Sequence, residues 1–488
     1  MAAMPKHESA ESFVSSVFKY SVSTVVSFAL FGLAVLLNNF LVPNQAVYGE
    51  ISQFLGATNT LMTIVIFGLD QSYIRFCYEP PGRLSSAGLF RLCFYLSTSI
   101  LFVAALVCSL FLSGFLHGLF EFQLLGRDVI PLVFLNTFFW MVARYFYVLY
   151  RMEQNIVLYT LTAILMNFFN KVFYLGGAFF ENQLEAMVVF SMVGLGGFAL
   201  VCMVGRRKLL MPRKDEVSKG VLGVILPYGI AVAPTAILVT LNFTVGAAYV
   251  AHSLGGEARG VYSYGFQLSN IVTAIQLGFA SFWGAYMYAN YKTQQERIKK
   301  VHDILNLIVL VFFTLLVAFE DVIFWILANY KEVQPIFPLM MLSAVFTVLC
   351  ETTTYGNTIA KKPIFDTLGN ALSILCNFGF CVLLIPFFSL EGAAAALAVA
   401  NLAMYLFRTG FGQYFYRTVR YPAKSTAAVV LSILLALFAT RWHDAFLLKL
   451  CVCAVAALLY CLMYRAELLR CFRLGRSMLE SLLARAKK

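Results

Sequence analysis

The sequence predicts an all-α, polytopic membrane protein. Of its 488 residues, 61% are hydrophobic and only 12% are charged, a balance that a soluble domain of this size does not show. Apolar runs of about 18–25 residues recur to the C-terminus, each long enough to cross a hydrocarbon core of about 30 Å. The runs are continuous and do not alternate, so helices, not the strands of a β-barrel, cross the membrane.

Loops rich in glycine, proline and charge divide the apolar runs into about fourteen transmembrane helices. The predicted spans cover 17–42, 51–76, 87–113, 129–150, 156–179, 184–204, 221–243, 260–288, 303–328, 335–358, 364–387, 391–413, 424–440 and 445–464. The first run is of full length and has no small-residue cleavage pattern. We interpret it as a retained helix and not as a signal peptide.

Lysine and arginine concentrate in alternate loops, for example in "RRKLLMPRK" (206–214) and in the C-terminal segment, whereas acids mark the loops between them. Under the positive-inside rule, this pattern predicts an even number of helices with both termini in the cytoplasm. The net charge of +12 then reflects topology and contact with anionic membrane lipids, and we expect no nucleic-acid partner.

A weak internal repeat suggests how the chain is organised. "VYGEISQF" (47–54) and "VYSYGFQL" (261–268) share Val-Tyr and a glutamine five residues after that tyrosine. Two such matches also arise by chance, but transporters are often built from paired repeats. The predicted parts are an N-terminal lobe of helices 1–6 (1–212), a C-terminal lobe of helices 7–12 (213–420), helices 13–14 (421–464) and a basic amphipathic cytoplasmic tail (465–488), which lies on the inner membrane surface or is simply an anchor.

Two neighbouring spans carry cationic stripes flanked by aromatic residues. Helical spacing places on one face of the fourth span Trp140, Arg144, Tyr147 and Arg151, and on one face of the fifth Asn167, Asn170, Lys171 and Tyr174. Desolvating one centred charge costs about 2.5–3.5 kcal/mol on insertion scales. We therefore predict that the stripes line a hydrated central cavity. The alternative is that Arg151 anchors a loop, and that Arg144 and Lys171 extend to the two membrane interfaces.

Three acids and two prolines are candidates for coupling and gating. Asp70, Glu351 and Asp366 are the candidates for ion coupling, although Asp70 can neutralise a nearby arginine and the other two lie near solvated helix ends. Pro227 and Pro234 interrupt the seventh span, which suits a gate helix or a static kink. The eleven cysteines form no CxxC pairs, so we expect free thiols, no metal site and no cofactor. A proton or sodium gradient stays open as the driving force.

Several local patterns together resemble one family. They are a first helix rich in serine and threonine, "VPNQAVYGEISQF" (42–54) as an external turn, a helix that ends in "FGLDQSYIRF" (67–76), and "GVYSYGFQLSNIV" (260–272). With its fourteen predicted helices, the chain resembles the polysaccharide (Wzx-type oligosaccharide) flippases of the multidrug/oligosaccharidyl-lipid/polysaccharide exporter superfamily. Relatives often carry an Asp-Arg pair near the end of the seventh helix, where this chain has "LNFTVG" (241–246), so ion coupling through that helix is in doubt.

The resemblance implies a non-enzymatic flippase with two six-helix lobes in a V around a central cavity. It would move a lipid-linked (polyprenyl-pyrophosphate) oligosaccharide from the inner to the outer leaflet of the bacterial cell membrane, for surface polysaccharide or lipopolysaccharide biosynthesis. Its partners would include polysaccharide polymerase and glycosyltransferases. Cations suit pyrophosphate, and aromatic and amide groups suit sugar. We assign Arg144, Arg151 and Lys171 to pyrophosphate, and to sugar or the cavity wall Trp140, Tyr147, Asn167, Asn170 and Tyr174.

Two other functions stay open. A multidrug/cation antiporter would need an intramembrane carboxylate in the N-terminal lobe, whereas the deep charge predicted here is the positive Lys171. A membrane polysaccharide polymerase or ligase would need a large external loop with arginine and histidine, whereas the predicted external connections are short and hold only isolated histidines.

Overall fold

The computed structural model describes residues 10–82, 84–211, 219–360, 362 and 364–469. Within these ranges every regular element is a helix, and no strand occurs. The predicted all-α class is therefore confirmed. The predicted amphipathic tail (465–488) lies outside the described residues from 470 onwards, as does the end of the basic segment 206–214 from residue 212.

The chain divides into two compact units, of which the first is Met1–Tyr264. Its helices are α1 (Ala10–Leu41), α2 (Gln45–Ile66), α3 (Leu69–Phe76), α4 (Ser86–Phe111), α5 (Ser113–Leu119), α6 (Val129–Met152), α7 (Ile156–Lys171), α8 (Gln183–Gly205), α9 (Arg207–Leu210), α10 (Lys219–Leu254) and most of α11 (Gly256–Ser269). Helix α6 packs against α2, α4, α7 and α8, and α10 packs against α2 and α3. This unit extends beyond residue 212, where the sequence predicts the boundary between two duplicated lobes. That boundary stays a prediction.

The second unit is Gly265–Lys488. It contains α12 (Thr273–Asn290), α13 (Gln295–Ala318), α14 (Glu320–Ile326), α15 (Phe337–Thr353), α16 (Tyr355–Ile359), α17 (Ile364–Phe415), α18 (Pro422–Arg441) and α19 (Phe446–Met463). Almost every residue of α15 is buried, because α12, α13, α17 and α18 all pack against it. This helix forms the core of the unit.

Ten helices of the described chain are long and apolar enough to cross a membrane, or eleven when α2 and α3 are taken as one bent span. Three differences explain why the described chain has eleven such spans where the sequence predicts fourteen. Helix α17 covers the eleventh and twelfth predicted spans, with a break at Ser389, whose φ is 48°. The eighth predicted span is divided between α11 and α12 by a 3-10 turn, Asn270–Val272. In the first predicted span, only a short apolar helix, Val26–Leu41, is described.

The second predicted span is broken, although the sequence predicts one continuous helix over 51–76. Phe67 and Gly68 both have left-handed backbones, with φ of 50° and 73°, and the axes of α2 and α3 differ by 53°. A Cβ atom at Gly68 would lie 2.4 Å from the carbonyl oxygen of Gly229 in α10. Glycine is required there for both its backbone conformation and the close approach of α10. The break places Asp70 in the first turn of α3.

The fifth predicted span also changes its form. Helix α7 ends at Lys171 and continues as a 3-10 segment, Phe173–Phe179. This segment packs backbone to backbone on α8, since a Cβ atom at Gly177 would lie 2.3 Å from the nitrogen of Met187. Tyr174 therefore leaves the predicted face of α7, and its buried hydroxyl donates to Asn38 Oδ1 of α1 at 2.9 Å.

Candidate functional site

A cavity of about 470 Å³ in the first unit brings together several of the predicted residues. Five helices form its walls. The lining residues are Asn59, Met62, Thr63 and Ile66 of α2, Gly68, Asp70 and Gln71 at and after the break, Trp140 and Arg144 of α6, Met166 of α7, and Val232, Ala233, Thr235, Ala236, Val239 and Thr240 of α10. Polar groups thus come mainly from α2, α3 and α6, whereas α10 supplies a largely apolar wall.

The charged centre of this cavity is an ion pair between Arg144 and Asp70. The Nε and Nη2 atoms of Arg144 donate to Asp70 Oδ2 at 3.1 and 3.0 Å. The Arg144 side chain is 33% exposed and that of Asp70 only 8%. The backbone and side-chain nitrogens of Gln71 also donate to the same carboxylate, at 2.8 and 3.0 Å. The carboxylate is therefore firmly held, whereas part of the guanidinium is open to the cavity.

The sequence allows Asp70 to neutralise a nearby arginine, and in the structure its partner is Arg144 of α6. Arg75, five residues further along, is exposed, and its guanidinium lies 5.5 Å from the Phe76 ring centre. The break at Phe67–Gly68 turns Asp70 toward α6 and Arg144 instead.

Trp140 lies one helical turn before Arg144 and adds an aromatic face to the cavity. Its Nε1 atom donates to Asn59 Oδ1 at 3.4 Å, which links α6 to α2. The Thr63 hydroxyl, one turn after Asn59 on α2, donates to the Asn59 carbonyl oxygen at 2.9 Å. Indole, amide and hydroxyl groups therefore line the same cavity as the guanidinium.

The C-terminal part of the α6 stripe does not line the cavity. The Tyr147 hydroxyl hydrogen-bonds to that of Tyr159 in α7 at 2.8 Å, and the Arg144 guanidinium lies 5.9 Å from the Tyr147 ring centre. Arg151 is exposed in the last turn of α6. Of the four stripe residues, the structure brings Trp140 and Arg144 into the cavity and places the other two beyond it.

The stripe on α7 contacts α1 and is absent from the cavity lining. Asn167 Nδ2 donates to Ser27 Oγ of α1 at 3.1 Å. Lys171 Nζ lies 5.1 Å from the ring centre of Phe31, also in α1. Asn170 is half-buried on the same helix. The α7 residue that does line the cavity is Met166, one residue before Asn167.

The other two candidate acids lie in the second unit, where each has a partner. Glu351 Oε1 accepts a hydrogen bond from Gln276 Nε2 at 2.7 Å. Asp366 Oδ1 accepts from Arg408 Nε at 3.0 Å and from Asn357 Nδ2 at 2.9 Å. These contacts connect neighbouring helices of that unit; they are not part of the cavity in the first unit.

The two prolines flank the place where α10 meets the break between α2 and α3. Both lie inside α10, and Gly229 between them is in close contact with the Phe67–Gly68 backbone. The Ser72 hydroxyl of α3 donates to the carbonyl oxygen of Ile225 in α10 at 2.8 Å. Near its two prolines, α10 therefore contacts both the break and α3.

Sequence reasoning missed much of the cavity wall. Asn59 and Ile66 follow i, i+7 on α2, and Val232, Ala236 and Val239 follow i, i+4, i+7 on α10. The spacing was visible, but the second set is apolar and resembles any lipid-facing stripe. Gln71 is placed by the unpredicted break.

The fold is similar to that of solved membrane transporters. The structure described as "Lipid II flippase MurJ, inward closed conformation" matches with a TM-score of 0.70 and 12% identity, over 92% of this chain and 99% of that one. The chain has the fold of a polytopic transporter. An inward-facing multidrug resistance MATE family transporter of the MOP superfamily matches with a TM-score of 0.56 and 12% identity, over 83% and 98% of the two chains.

A further MATE multidrug transporter, DinF-BH in a ligand complex, matches with a TM-score of 0.57 and 15% identity, over 84% of this chain and 98% of that one. No protein-family model and no curated protein matches the sequence. At these identities the likeness shows the fold alone. Together with its many apolar helices, it describes a multi-pass membrane protein whose structural neighbours are transporters and a flippase.

Proposed function

We propose that the protein is a flippase for a lipid-linked oligosaccharide with a polyprenyl-pyrophosphate group. The observation that carries this proposal is the partly exposed guanidinium of Arg144, which lies in a cavity beside Trp140. The name of the MurJ structure, a lipid II flippase, supports a lipid-linked substrate.

The chemistry of the cavity suits the three parts of such a molecule. A guanidinium presents a planar fork of donors that fits phosphate oxygens. The indole face of Trp140 suits a sugar ring, and the amides of Asn59 and Gln71 are both donors and acceptors for hydroxyl groups. The apolar wall of α10 suits hydrocarbon next to the head group.

Substrate binding in this proposal is an exchange of anions on Arg144. In the structure, Asp70 occupies one edge of the guanidinium. A pyrophosphate carries more charge than one carboxylate and competes for the same donors. Displacing Asp70 would free α3 at the Phe67–Gly68 break and change its contact with α10 between Pro227 and Pro234. We propose this step as the link between binding and gating.

The proposal includes the direction and setting that the sequence indicates. The substrate moves by alternating access from the cytoplasmic to the outer leaflet of the bacterial cell membrane, with both termini of the protein cytoplasmic. The glycan is destined for surface polysaccharide, and polymerase and glycosyltransferases act beside the protein. A proton or sodium gradient is the proposed energy source, with Asp70, Glu351 and Asp366 as the candidate ion-coupling residues.

A multidrug/cation antiporter is the second candidate, and one observation favours it. Asp70 is an acidic side chain of the first unit that lines the cavity, as an exporter of cations needs. Its carboxylate is already paired with Arg144, so a cationic drug would meet a neutral pair and not a free negative charge. This pairing is why we place the flippase first.

The test is translocation in proteoliposomes that contain the purified protein and a fluorescent polyprenyl-pyrophosphate oligosaccharide. We expect Arg144→Gln to slow translocation about 10- to 100-fold, the effect of losing a charged hydrogen bond of about 1.5–3 kcal/mol. Arg151→Gln, which changes an exposed arginine of the same helix, is the matched comparison and should have a smaller effect. If the wild-type protein moves a fluorescent cationic dye and leaves the lipid in place, the antiporter is correct.

A further inference from the structure

A groove on the exposed face of α7 and α8 shares no lining residue with the cavity around Arg144. Its volume is about 600 Å³. Its walls are mainly apolar, with Leu165 and Phe169 on α7 and Phe198 and Val201 on α8, and its charged lining residue is Arg206. Leu161, Val193 and Val201 are 48–70% exposed, so the groove opens toward the surroundings of the unit, which in a membrane are lipid.

Glycines make this groove deep. A Cβ atom at Gly197 or at Gly205 would meet nothing within 4 Å, whereas at Gly194 it would lie 2.5 Å from the Phe173 ring. Phe173 packs against Gly194, and the space beside Gly197 and Gly205 stays open. The helical rise from Gly194 to Gly205 is about 16 Å, close to half of a hydrocarbon core of about 30 Å. The groove is therefore as long as one leaflet.

A basic cluster lies at the Arg206 end of the groove. Arg206 Nη2 pairs with Glu153 Oε2 at 2.6 Å, and its guanidinium lies 5.3 Å from the Tyr150 ring centre. Arg207 and Lys208 follow and are exposed. The cluster therefore keeps a positive charge after Glu153 is counted.

Two contacts hold this basic segment in place. Arg91 Nη1 of α4 donates to the Leu209 carbonyl oxygen at 3.2 Å, and the Tyr95 hydroxyl donates to that of Leu210. The short helix α9, which contains Arg207 and Lys208, is thus fixed against α4. The backbone that carries these two cations is therefore held next to Arg206.

We propose that the groove binds one anionic glycerophospholipid, with a hydrocarbon chain along α7 and α8 and its phosphate at Arg206, Arg207 and Lys208. Charge complementarity selects the anionic head group, because a zwitterionic lipid gains nothing net from this cluster. The length of the groove matches an acyl chain within a single leaflet. The site is separate from the cavity around Arg144 and does not depend on the proposed transport function.

Native mass spectrometry of the full-length protein with an equimolar mixture of phosphatidylglycerol, phosphatidylcholine and undecaprenyl phosphate tests the site. We expect phosphatidylglycerol to be retained about tenfold over phosphatidylcholine. Gly197→Phe fills the groove and should lower its retention about tenfold. Leu200→Phe, at a 57% exposed position of the same helix that does not line the groove, should leave retention unchanged. Phenylalanine favours a helix more than glycine does and only slightly less than leucine does, so both variants should fold, which their thermal unfolding will check.

Charge variants provide a second readout. Arg206→Gln should reduce the preference for phosphatidylglycerol over phosphatidylcholine, and Glu153→Gln, which removes the competing carboxylate, should increase it. Equal retention of phosphatidylglycerol by Gly197→Phe and the wild-type protein would overturn the groove as the site. Retention of undecaprenyl phosphate that Gly197→Phe lowers, or no preference for phosphatidylglycerol over phosphatidylcholine, would overturn the assignment of its occupant.

Discussion

Two arginine–carboxylate pairs in the first unit have the same chemistry but different surroundings. Arg259 of α11 pairs with Glu50 of α2, and both side chains are 0% exposed. Arg144 of α6 pairs with Asp70 of α3, and their side chains are 33% and 8% exposed. The first pair is closed to any ligand, and the second faces a cavity. An arginine within a membrane protein is therefore a candidate binding group only where part of its fork stays open.

The buried pair organises the backbone around it. Glu50 Oε1 accepts hydrogen bonds from the backbone nitrogens of Gln123, Leu124 and Leu125 at 2.9, 3.0 and 3.1 Å. Arg259 Nη1 donates to the Glu121 carbonyl oxygen at 2.6 Å. The pair thus ties α2 and α11 to the 121–125 segment. Both charged groups are therefore engaged in contacts that stabilise the fold.

The two segments of the weak sequence repeat meet next to this buried ion pair. A Cβ atom at Gly49 would lie 2.8 Å from backbone atoms of Gly256 and Gly260, so α2 and α11 touch backbone to backbone. The rings of Tyr48 and Tyr264 are 5.4 Å apart between centres. The Val-Tyr segments that the sequence singled out lie against each other in the structure, and the buried ion pair lies beside them.

The largest expected effect is that of Arg259→Met. Removing one member of a fully buried pair leaves the other charge without its partner and costs about 3–5 kcal/mol. We expect a strong fall in the midpoint of thermal unfolding of the detergent-solubilised protein, and low yield. The double variant Glu50→Gln/Arg259→Met should recover part of the loss. If Arg259→Met unfolds at the same temperature as Arg144→Met, burial does not make the Glu50–Arg259 pair more important for stability than the Asp70–Arg144 pair.

Gly68→Ala should have the next largest effect, because it acts on the break that brings Asp70 to the cavity. The added Cβ atom would lie 2.4 Å from the Gly229 carbonyl oxygen, and φ is 73°. Overpacking and a left-handed backbone each cost about 1–3 kcal/mol. Gly56→Ala, where a Cβ atom meets nothing within 4 Å, is the control. A Gly68→Ala protein with the unfolding midpoint of the control would show that α10 does not need this close contact.

Composition and hydropathy predicted the helical class and most span positions correctly, since these depend on local sequence. The pairings could not be predicted in this way. Nothing in the sequence pattern pairs Glu50 with Arg259, although they form a buried ion pair between positions 209 apart in the chain. The partner of Asp70 was also missed, because it depends on the left-handed Phe67–Gly68 break. Contacts between distant helices and breaks within spans are tertiary features that periodicity does not show.

The cavity pair should contribute little to stability and much to function. Asp70→Asn removes one charge of a pair that is worth at most about 1 kcal/mol when it is partly exposed. We expect a small shift in the unfolding midpoint. We also expect tighter binding of the pyrophosphate lipid, because the competing carboxylate is gone, with slower translocation if the exchange on Arg144 drives α3. If Asp70→Asn binds the lipid as the wild-type protein does while Arg144→Gln is inactive, pyrophosphate does not displace Asp70 from Arg144. Arg144 would then be a simple anion-binding residue.

The smallest expected effect is that of Lys171→Met, and it tests the remaining cation of the predicted pyrophosphate site. Lys171 lies over the Phe31 ring and not among the cavity-lining residues. A substitution that keeps the apolar stem should change the unfolding free energy by only about 0.5 kcal/mol, and we expect translocation to stay close to that of the wild-type protein. If Lys171→Met instead slows translocation as much as Arg144→Gln while the unfolding midpoint stays constant, then the α7 stripe also binds the anion. The pyrophosphate would then bind between α6 and α7 at a stage of transport that differs from the arrangement in which Arg144 is held by Asp70.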